Sequence, residues 1–552
     1  MRADAVVVWV LLVSGVVGCG RTAPSGSGEP DAVLGKLAAG GAPTHQAVVA
    51  VTVLRQGEPV SGSEVSLARS ISGRGVRYDW TGTTDATGTA VIEVRSDPSG
   101  QLRQRGASGY YVAVARDLGG GEVGRWGSLP VRDGRRNDFV LEPGRRAQVL
   151  TGGLEFRERF GLQTLGPIPY PDDNPPVTER IELGRLIFFD PILGGEKDVA
   201  CGTCHHPDFA FADGRKLGAG TSGEGLGPDR MISVSSLTGM PIIDEPRHSQ
   251  TIFNTAFNGN REGIPSHEGL QFWDGRVKGL EEQSTKPIGD RDEMAGDAYP
   301  TAVAMDSVLV RLRSIPEYVA LFQSAYPGET TAFEGAAIVN ESTYARAIGA
   351  YERELVTRNT AYDRYVEGDD GAMTPLQKWG LQLFFTKAKC AICHSGPMFS
   401  DFQFVVQGVP QEGPGKDELP GDDLGRFEFS KDPSGRYAFR TPTLRNIELT
   451  APFMHDGVFE TLKDVVRFYD DGALPRHPMV SDEMMHLALT QPLGLTDAES
   501  DAIVAFMEAL TDNGSLLDPM LLTVPDAVPS GLLPVFGLRG VGKPASERYR
   551  PK

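Results

Sequence analysis

Cys201-Gly202-Thr203-Cys204-His205 and Cys390-Ala391-Ile392-Cys393-His394 are two C-x-x-C-H motifs, and they use four of the five cysteines in the chain. C-x-x-C-H is the attachment signature of c-type haem. The two thiols bond covalently to the porphyrin vinyl groups, and the adjoining histidine becomes the proximal iron ligand. One four-cysteine zinc site assembled from both pairs would leave the histidine after each pair without a reason. The chain therefore reads as a dihaem protein. One haem c is expected on Cys201, Cys204 and His205, the other on Cys390, Cys393 and His394.

The remaining cysteine, Cys19, closes Val16-Val17-Gly18-Cys19 after an apolar run at residues 5–17. That run is too short to span a bilayer as a mature helix. The ending resembles a bacterial lipobox, in which the cysteine is lipidated and becomes the new first residue. An ordinary signal peptide is the other reading, and both export the chain to where covalent haem attachment takes place. Gly20 after the cysteine favours the outer membrane by resemblance to known lipoproteins. The expected location is the periplasmic side of the envelope, held to the membrane by a lipid. The net charge of −19 argues against nucleic acid, because phosphate binding requires a basic footprint.

At 552 residues the chain exceeds what one core organises. Residues 1–18 read as the signal peptide and the Gly/Ala/Pro/Ser-rich stretch 19–46 as a flexible linker. Short β-like runs follow, among them Val48-Val49-Ala50-Val51-Thr52-Val53 and Ala90-Val91-Ile92-Glu93-Val94. Turn signals such as Asp85-Ala86-Thr87-Gly88 separate them. The spacing suggests a β-sandwich module over 47–147, similar to Ig-like or carboxypeptidase-regulatory modules, serving as a spacer or a partner-docking unit. From about 154 the pattern turns helical. A helix is expected within 333–356, and Thr496-x-x-Glu499 is a capping box opening another. The fold class is thus multidomain: an N-terminal β-sandwich followed by two mainly α-helical c-type cytochrome domains, at 154–332 and 333–512. Residues 513–552 read as an irregular, proline-rich tail, packed or frayed.

The residues around the two motifs carry a resemblance. Leu183-Gly184-Arg185-Leu186-Ile187-Phe188-Phe189-Asp190-Pro191 leads into the first motif. Phe272-Trp273-Asp274-Gly275-Arg276 is followed by Leu280-Glu281-Glu282-Gln283, Pro287-Ile288 and Glu293-Met294. Arg440-Thr441-Pro442-Thr443-Leu444-Arg445-Asn446 and Thr450-Ala451-Pro452-Phe453-Met454-His455-Asp456-Gly457 follow the second. Together they resemble the bacterial dihaem cytochrome c peroxidases and the related MauG-type enzymes, over roughly 154–512.

The resemblance implies a peroxidatic first haem and an electron-transferring second haem. It implies Glu293 as the distal acid–base residue, with Gln283 and Pro287 in the same pocket, and Trp273 as the relay between haems. In many such peroxidases a loop histidine blocks the first haem until the enzyme is reduced. Here no histidine lies between His206 and His248, so the first haem is expected to be open, unless His248 or His267 swings in. At the second haem, where better-known relatives carry a methionine ligand, the matching position is Tyr469. Met454, Met479, Met484 and Met485 are the competing ligands. A calcium ion between the domains is implied on Thr450 and Pro452. It is placed in doubt because the family's asparagine is here His248, a poor ligand for a hard ion.

The expected activity is reduction of hydrogen peroxide, with electrons from a small donor protein, a cytochrome c or a cupredoxin. The alternatives are a MauG-like enzyme oxidising Trp or Tyr of a partner protein, and a surface electron-transfer cytochrome without turnover. Glu293 and Gln283 weigh against the last.

Overall fold

The computed structural model describes residues 46–69, 80–95, 109–120, 122–131, 136–143, 145, 147–150, 154–329, 337–411, 422–512 and 514–534. The expected signal peptide, nearly all of the linker and Cys19 lie outside the described residues.

Among the described residues nine strands make the N-terminal region: β1 (Gln46–Arg55), β2 (Glu58–Pro59), β3 (Glu64–Arg69), β4 (Trp80–Thr83), β5 (Thr89–Arg95), β6 (Gly109–Arg116), β7 (Glu122–Val131), β8 (Arg136–Leu141) and β9 (Gln148–Leu150). β1, β2, β5, β8 and β9 form one sheet and β3, β4, β6 and β7 the other. Val49, Val51 and Val53 of the first sheet and Val65, Leu67 and Ala113 of the second share one buried cluster, as two face-packed sheets do.

The nearly unbroken apolar run of β1 has a second cause. A strand covered on both faces needs no alternation. Leu54 of β1 and Val140 of β8 join a helical core with Phe156 and Trp379. Lys378 Nζ reaches Asp138 Oδ2 at 2.7 Å, and each side chain is 1% exposed. Burying two charges is costly unless each finds further partners. Arg136 Nε also donates to Asp138, and Lys378 also donates to the Asp370 carbonyl. The β-module is therefore docked on the helical region.

The helical region has two lobes. The first is built on α1 (Thr178–Phe188), the helices Thr301–Arg313 and Pro316–Ala325, and α2 (Glu341–Glu354). Its core holds Leu183, Ile187, Phe188, Leu312, Phe322, Tyr344 and Tyr351. The second is built on α3 (Pro375–Phe385), α4 (Leu462–Asp470) and α5 (Asp497–Glu508), around Phe384, Phe399 and Phe506. α5 starts at the expected capping box, with Thr496 and Glu499 capping each other.

The lobes repeat one packing device. A Cβ on Gly184 of α1 would lie 1.9 Å from the Ala347 carbonyl oxygen of α2. A Cβ on Gly380 of α3 would lie 1.7 Å from the Ala502 carbonyl oxygen of α5. Each glycine lets one helix backbone rest on the other. Each is followed, four and five residues on, by a phenylalanine pair: Phe188-Phe189 and Phe384-Phe385.

The lobes do not follow the expected boundaries. α2 packs in the first core, so the division expected at 332/333 falls after about residue 355. Its apolar stripe of Tyr344, Ile348 and Tyr351 finds its complement on α1. Residues 154–160 cross the other way: Phe156 lies in the second core, and Arg157 Nη1 meets Asp370 Oδ1 at 2.7 Å. The tail at 514–534 returns to the first lobe. Leu522 is buried there, Tyr351 donates to the Leu521 carbonyl at 2.8 Å, and Ser530 Oγ donates to Asp190 Oδ1 at 2.7 Å. No helix among the described residues is long and apolar enough to cross a membrane.

Candidate haem sites

The first motif is a single helical turn, Cys201–Cys204, and His205 ends it, its N–H bonding to the Cys201 carbonyl at 3.0 Å. The chain then folds back so that His205 Nδ1 lies 3.0 Å from the Phe211 carbonyl oxygen. A carbonyl only accepts, so Nδ1 carries the proton and Nε2 is left as the ligand atom, as a second-shell bond to a metal-binding histidine requires. Burial lowers the His205 pKa, against the raising effect of that carbonyl, and the neutral ring is the ligating form. The turn needs Phe211 at φ +56°.

The second motif repeats the arrangement. His394 follows the turn Cys390–Ile392, its Nδ1 lies 2.8 Å from the Phe399 carbonyl oxygen, and Phe399 has φ +49°. His205, Cys204 and His394 line one continuous cavity. None of the four motif cysteines is in a disulfide, which leaves all four for thioether bonds, and each pair is followed by a histidine with its Nε2 uncommitted to the orienting carbonyl; these donor sets fit covalently bound haem.

The cavity walls differ at the two ends. Near His205 stand Leu280, Gln283 and Glu293. Glu293 sits in a π-turn, Arg291–Ala295, a distortion frequent at functional sites. The Asp290 carboxylate opens it by accepting the N–H groups of Asp292 and Glu293 at 3.0 and 3.4 Å. Gly220 permits the close approach: a Cβ there would lie 2.3 Å from both the Asp292 and Glu293 carbonyl oxygens. Pro287 opens a neighbouring turn but does not line the cavity, and Ile288 is the buried residue of that turn.

Sequence reasoning missed Glu352. It lies on α2, is buried and lines the cavity, and burial pushes its carboxyl up to about 8. The available signal was an acid four residues after Ile348, on the apolar stripe of a helix.

Near His394 stand Tyr469 of α4, Leu462, Val465, Met454 and Met507. Burial raises the Tyr469 phenol pKa, with the Cys390 and Cys393 thiols adding to it. Of the competing methionines, Met454 shares the cavity, Met479 is exposed, and Met484 and Met485 do not line it.

Trp273 lines the cavity, and its indole N–H donates to the His248 carbonyl at 2.9 Å. Its own carbonyl accepts from the Arg440 N–H at 2.8 Å. Beside it Arg247 is buried in a web of carboxylates: Asp423 at 2.5 and 2.7 Å and Asp274 at 2.7 Å. Burial alone would raise the Asp423 pKa, but the Arg247 guanidinium outweighs it and holds the carboxyl far below the usual range.

His248 lines the cavity too, yet its Nδ1 is held at 2.7 Å by the Arg215 carbonyl oxygen. His267 is exposed and does not line the cavity. Thr450 and Pro452 line the cavity. Burial pushes the His248 pKa down to about 4. These donors do not fit calcium, which seeks six to eight oxygens, carboxylates among them. The nearby carboxylates of Asp274 and Asp423 are committed to Arg247.

Residues 178–371 match the model of the di-haem cytochrome c peroxidase family. A cytochrome-c peroxidase, IdrP1, of Pseudomonas sp. (strain SCT) is 32% identical over 65% of this chain and 88% of its own length. The methylamine utilization protein MauG of Methylorubrum extorquens is 32% identical over 65% of this chain and 84% of its own. The chain belongs to the dihaem cytochrome c peroxidase family. A crystal structure of a MauG-like protein associated with microbial copper homeostasis superposes with a TM-score of 0.53 at 26% identity, over 66% of this chain and 98% of that one. Family membership implies two haem c groups and peroxidase chemistry.

Proposed function

We propose that this dihaem peroxidase reduces hydrogen peroxide at the first haem, with electrons relayed through the second. Bound haem would supply the iron that takes the peroxide at one end and the iron that passes electrons at the other. The observation that carries this reading is that Glu293 and Gln283 share a cavity with His205.

Reducing peroxide to two waters consumes two electrons and two protons, and the O–O bond breaks only if a proton reaches the leaving oxygen. In this reading the Glu293 carboxylate takes the proton from one peroxide oxygen and returns it to the other, as general acid–base catalysis requires. The Gln283 amide orients the peroxide, and the buried Leu280 keeps bulk water from the same wall. Trp273 would carry electrons between the ends of the cavity, its ring fixed through the His248 carbonyl. Electrons would come from a small cytochrome c or cupredoxin. Covalent haem and the lipobox-like Cys19 support a lipid-anchored protein on the periplasmic face of the envelope, at the outer membrane.

Tyr469 in the second haem's wall favours a second reading, oxidation of Trp or Tyr on a partner protein. A phenolate stabilises ferric iron and lowers its potential, which suits holding oxidising equivalents more than accepting electrons from ordinary cytochromes. One experiment separates the two. Stoichiometric peroxide is added to the purified diferric protein, with and without reduced cytochrome c. Prompt spectral recovery with cytochrome c consumed supports peroxidase turnover. A long-lived oxidised spectrum indifferent to cytochrome c supports partner oxidation. Cyanide binding without prior reduction is expected in both cases, and a low-spin protein that ignores cyanide until reduced refutes the open first site.

A further inference from the structure

Three features meet at His248. Its Nδ1 donates to the Arg215 carbonyl at 2.7 Å, on the loop that follows the first motif. Thr450 and Pro452, on a loop of the second lobe, line the same cavity as the ring. Its own backbone is tied on both sides: its N–H donates to the His455 carbonyl at 2.7 Å, and its carbonyl accepts the Trp273 indole at 2.9 Å. A divalent cation at such a junction would gather backbone carbonyls from both loops. Here an imidazole lies at it.

The charges around it point the same way. Arg247, the preceding residue, is buried, and its guanidinium already occupies both oxygens of Asp423 and one of Asp274. Arg276 takes the same Asp274 oxygen at 2.8 Å. Glu428 Oε2 also approaches Arg247 at 3.5 Å, so a dication placed here would meet two guanidinium groups, with all three carboxylates already paired to them.

We propose that His248 takes the place of a metal ion at the junction of the two lobes. Its ring is held by the Arg215 loop and its N–H by the His455 carbonyl of the second lobe, its carbonyl holds Trp273 in position, and the junction works without calcium. His248 is a positioning residue in this account. The inference concerns the junction alone and stands whichever substrate the enzyme uses.

The test is metal content and thermal stability of the holoprotein. Wild type, purified and dialysed against EGTA, is expected to hold no stoichiometric calcium, and its Tm is expected to ignore both EGTA and added calcium chloride. H248N restores an oxygen donor and removes the ring. It is expected to melt lower than wild type in EGTA and to recover as calcium is added, since a ion bound only by the folded state raises Tm with its concentration. Stoichiometric calcium in wild type, or a Tm that falls in EGTA, overturns the proposal. So does a folded H248N whose Tm ignores calcium. Should H248N not fold, the wild-type measurements decide alone.

Discussion

The two haem lobes begin alike and end differently. Each rests a helix on its partner through one glycine, Gly184 or Gly380, and each orients its motif histidine with the carbonyl of a phenylalanine at positive φ, Phe211 or Phe399. These shared parts hold a porphyrin and present one histidine nitrogen. The opposite walls diverge: Glu293, Gln283 and Leu280 face one end of the cavity, and Tyr469, Leu462 and Val465 the other. A carboxylate exchanges protons readily near neutral pH, whereas a phenol, ordinarily titrating at about 10, does so far less readily and can instead bind a metal. The two ends therefore share a scaffold and differ in the side chains of the facing wall.

The hardest strike against this contrast is E293Q. It is expected to slow peroxide cleavage by about 10²–10⁴-fold, the usual worth of a positioned acid–base group, with haem content unchanged. Stopped-flow spectroscopy checks it, and an unchanged rate would move the acid–base role elsewhere on the wall.

The likeness of the lobes is sharpened by G184A and G380A. Each introduces a Cβ within 2 Å of a backbone carbonyl oxygen, at 1.9 and 1.7 Å. Overpacking of this kind costs about 1–3 kcal/mol and sometimes more. Chemical denaturation is expected to show similar losses for the two; a loss at one position alone would mean that the lobes are not built equivalently.

Glu352 gives a pH signature confined to the first lobe. Its carboxyl titrates near 4.5 ordinarily and at about 8 in the fold. Its contribution to stability is therefore full below about pH 4.5 and is lost as pH rises through about 8. E352Q removes that dependence, which amounts to at most about 1.4 kcal/mol per pH unit in between. Urea titrations of both proteins between pH 5 and 8 are expected to diverge, the variant gaining relative to wild type as pH rises. Parallel curves would place an unrecognised cation beside Glu352.

The mildest change is Y469F, which should leave stability nearly untouched. It is expected to alter the spectrum and potential of the second haem only, with new high-spin signal. An unaltered second haem would make Tyr469 a packed residue and return Met454, which shares the cavity, as the ligand.

The sequence alone determined the local chemistry. Two C-x-x-C-H motifs name their cofactor because two thiols and a histidine must sit within one helical turn, a requirement that short-range spacing expresses fully. The capping box at Thr496 and the strands of the β-module are local for the same reason. The repeat around Gly184 and Gly380 was also written in the chain, as a glycine with two phenylalanines four and five residues on.

Tertiary structure alone decided which segments share a core. α2 belongs to the first lobe, residues 154–160 cross to the second, and the tail at 514–534 returns to the first. An apolar stripe states that a helix must be covered but not by what, so these memberships were settled by packing. The same holds for Glu352, whose acidity depends on the cavity it faces, and for Pro287, which the turn keeps out of it. It holds for His248 as well, whose hold on the Arg215 carbonyl and on Trp273 joins residues far apart in the chain.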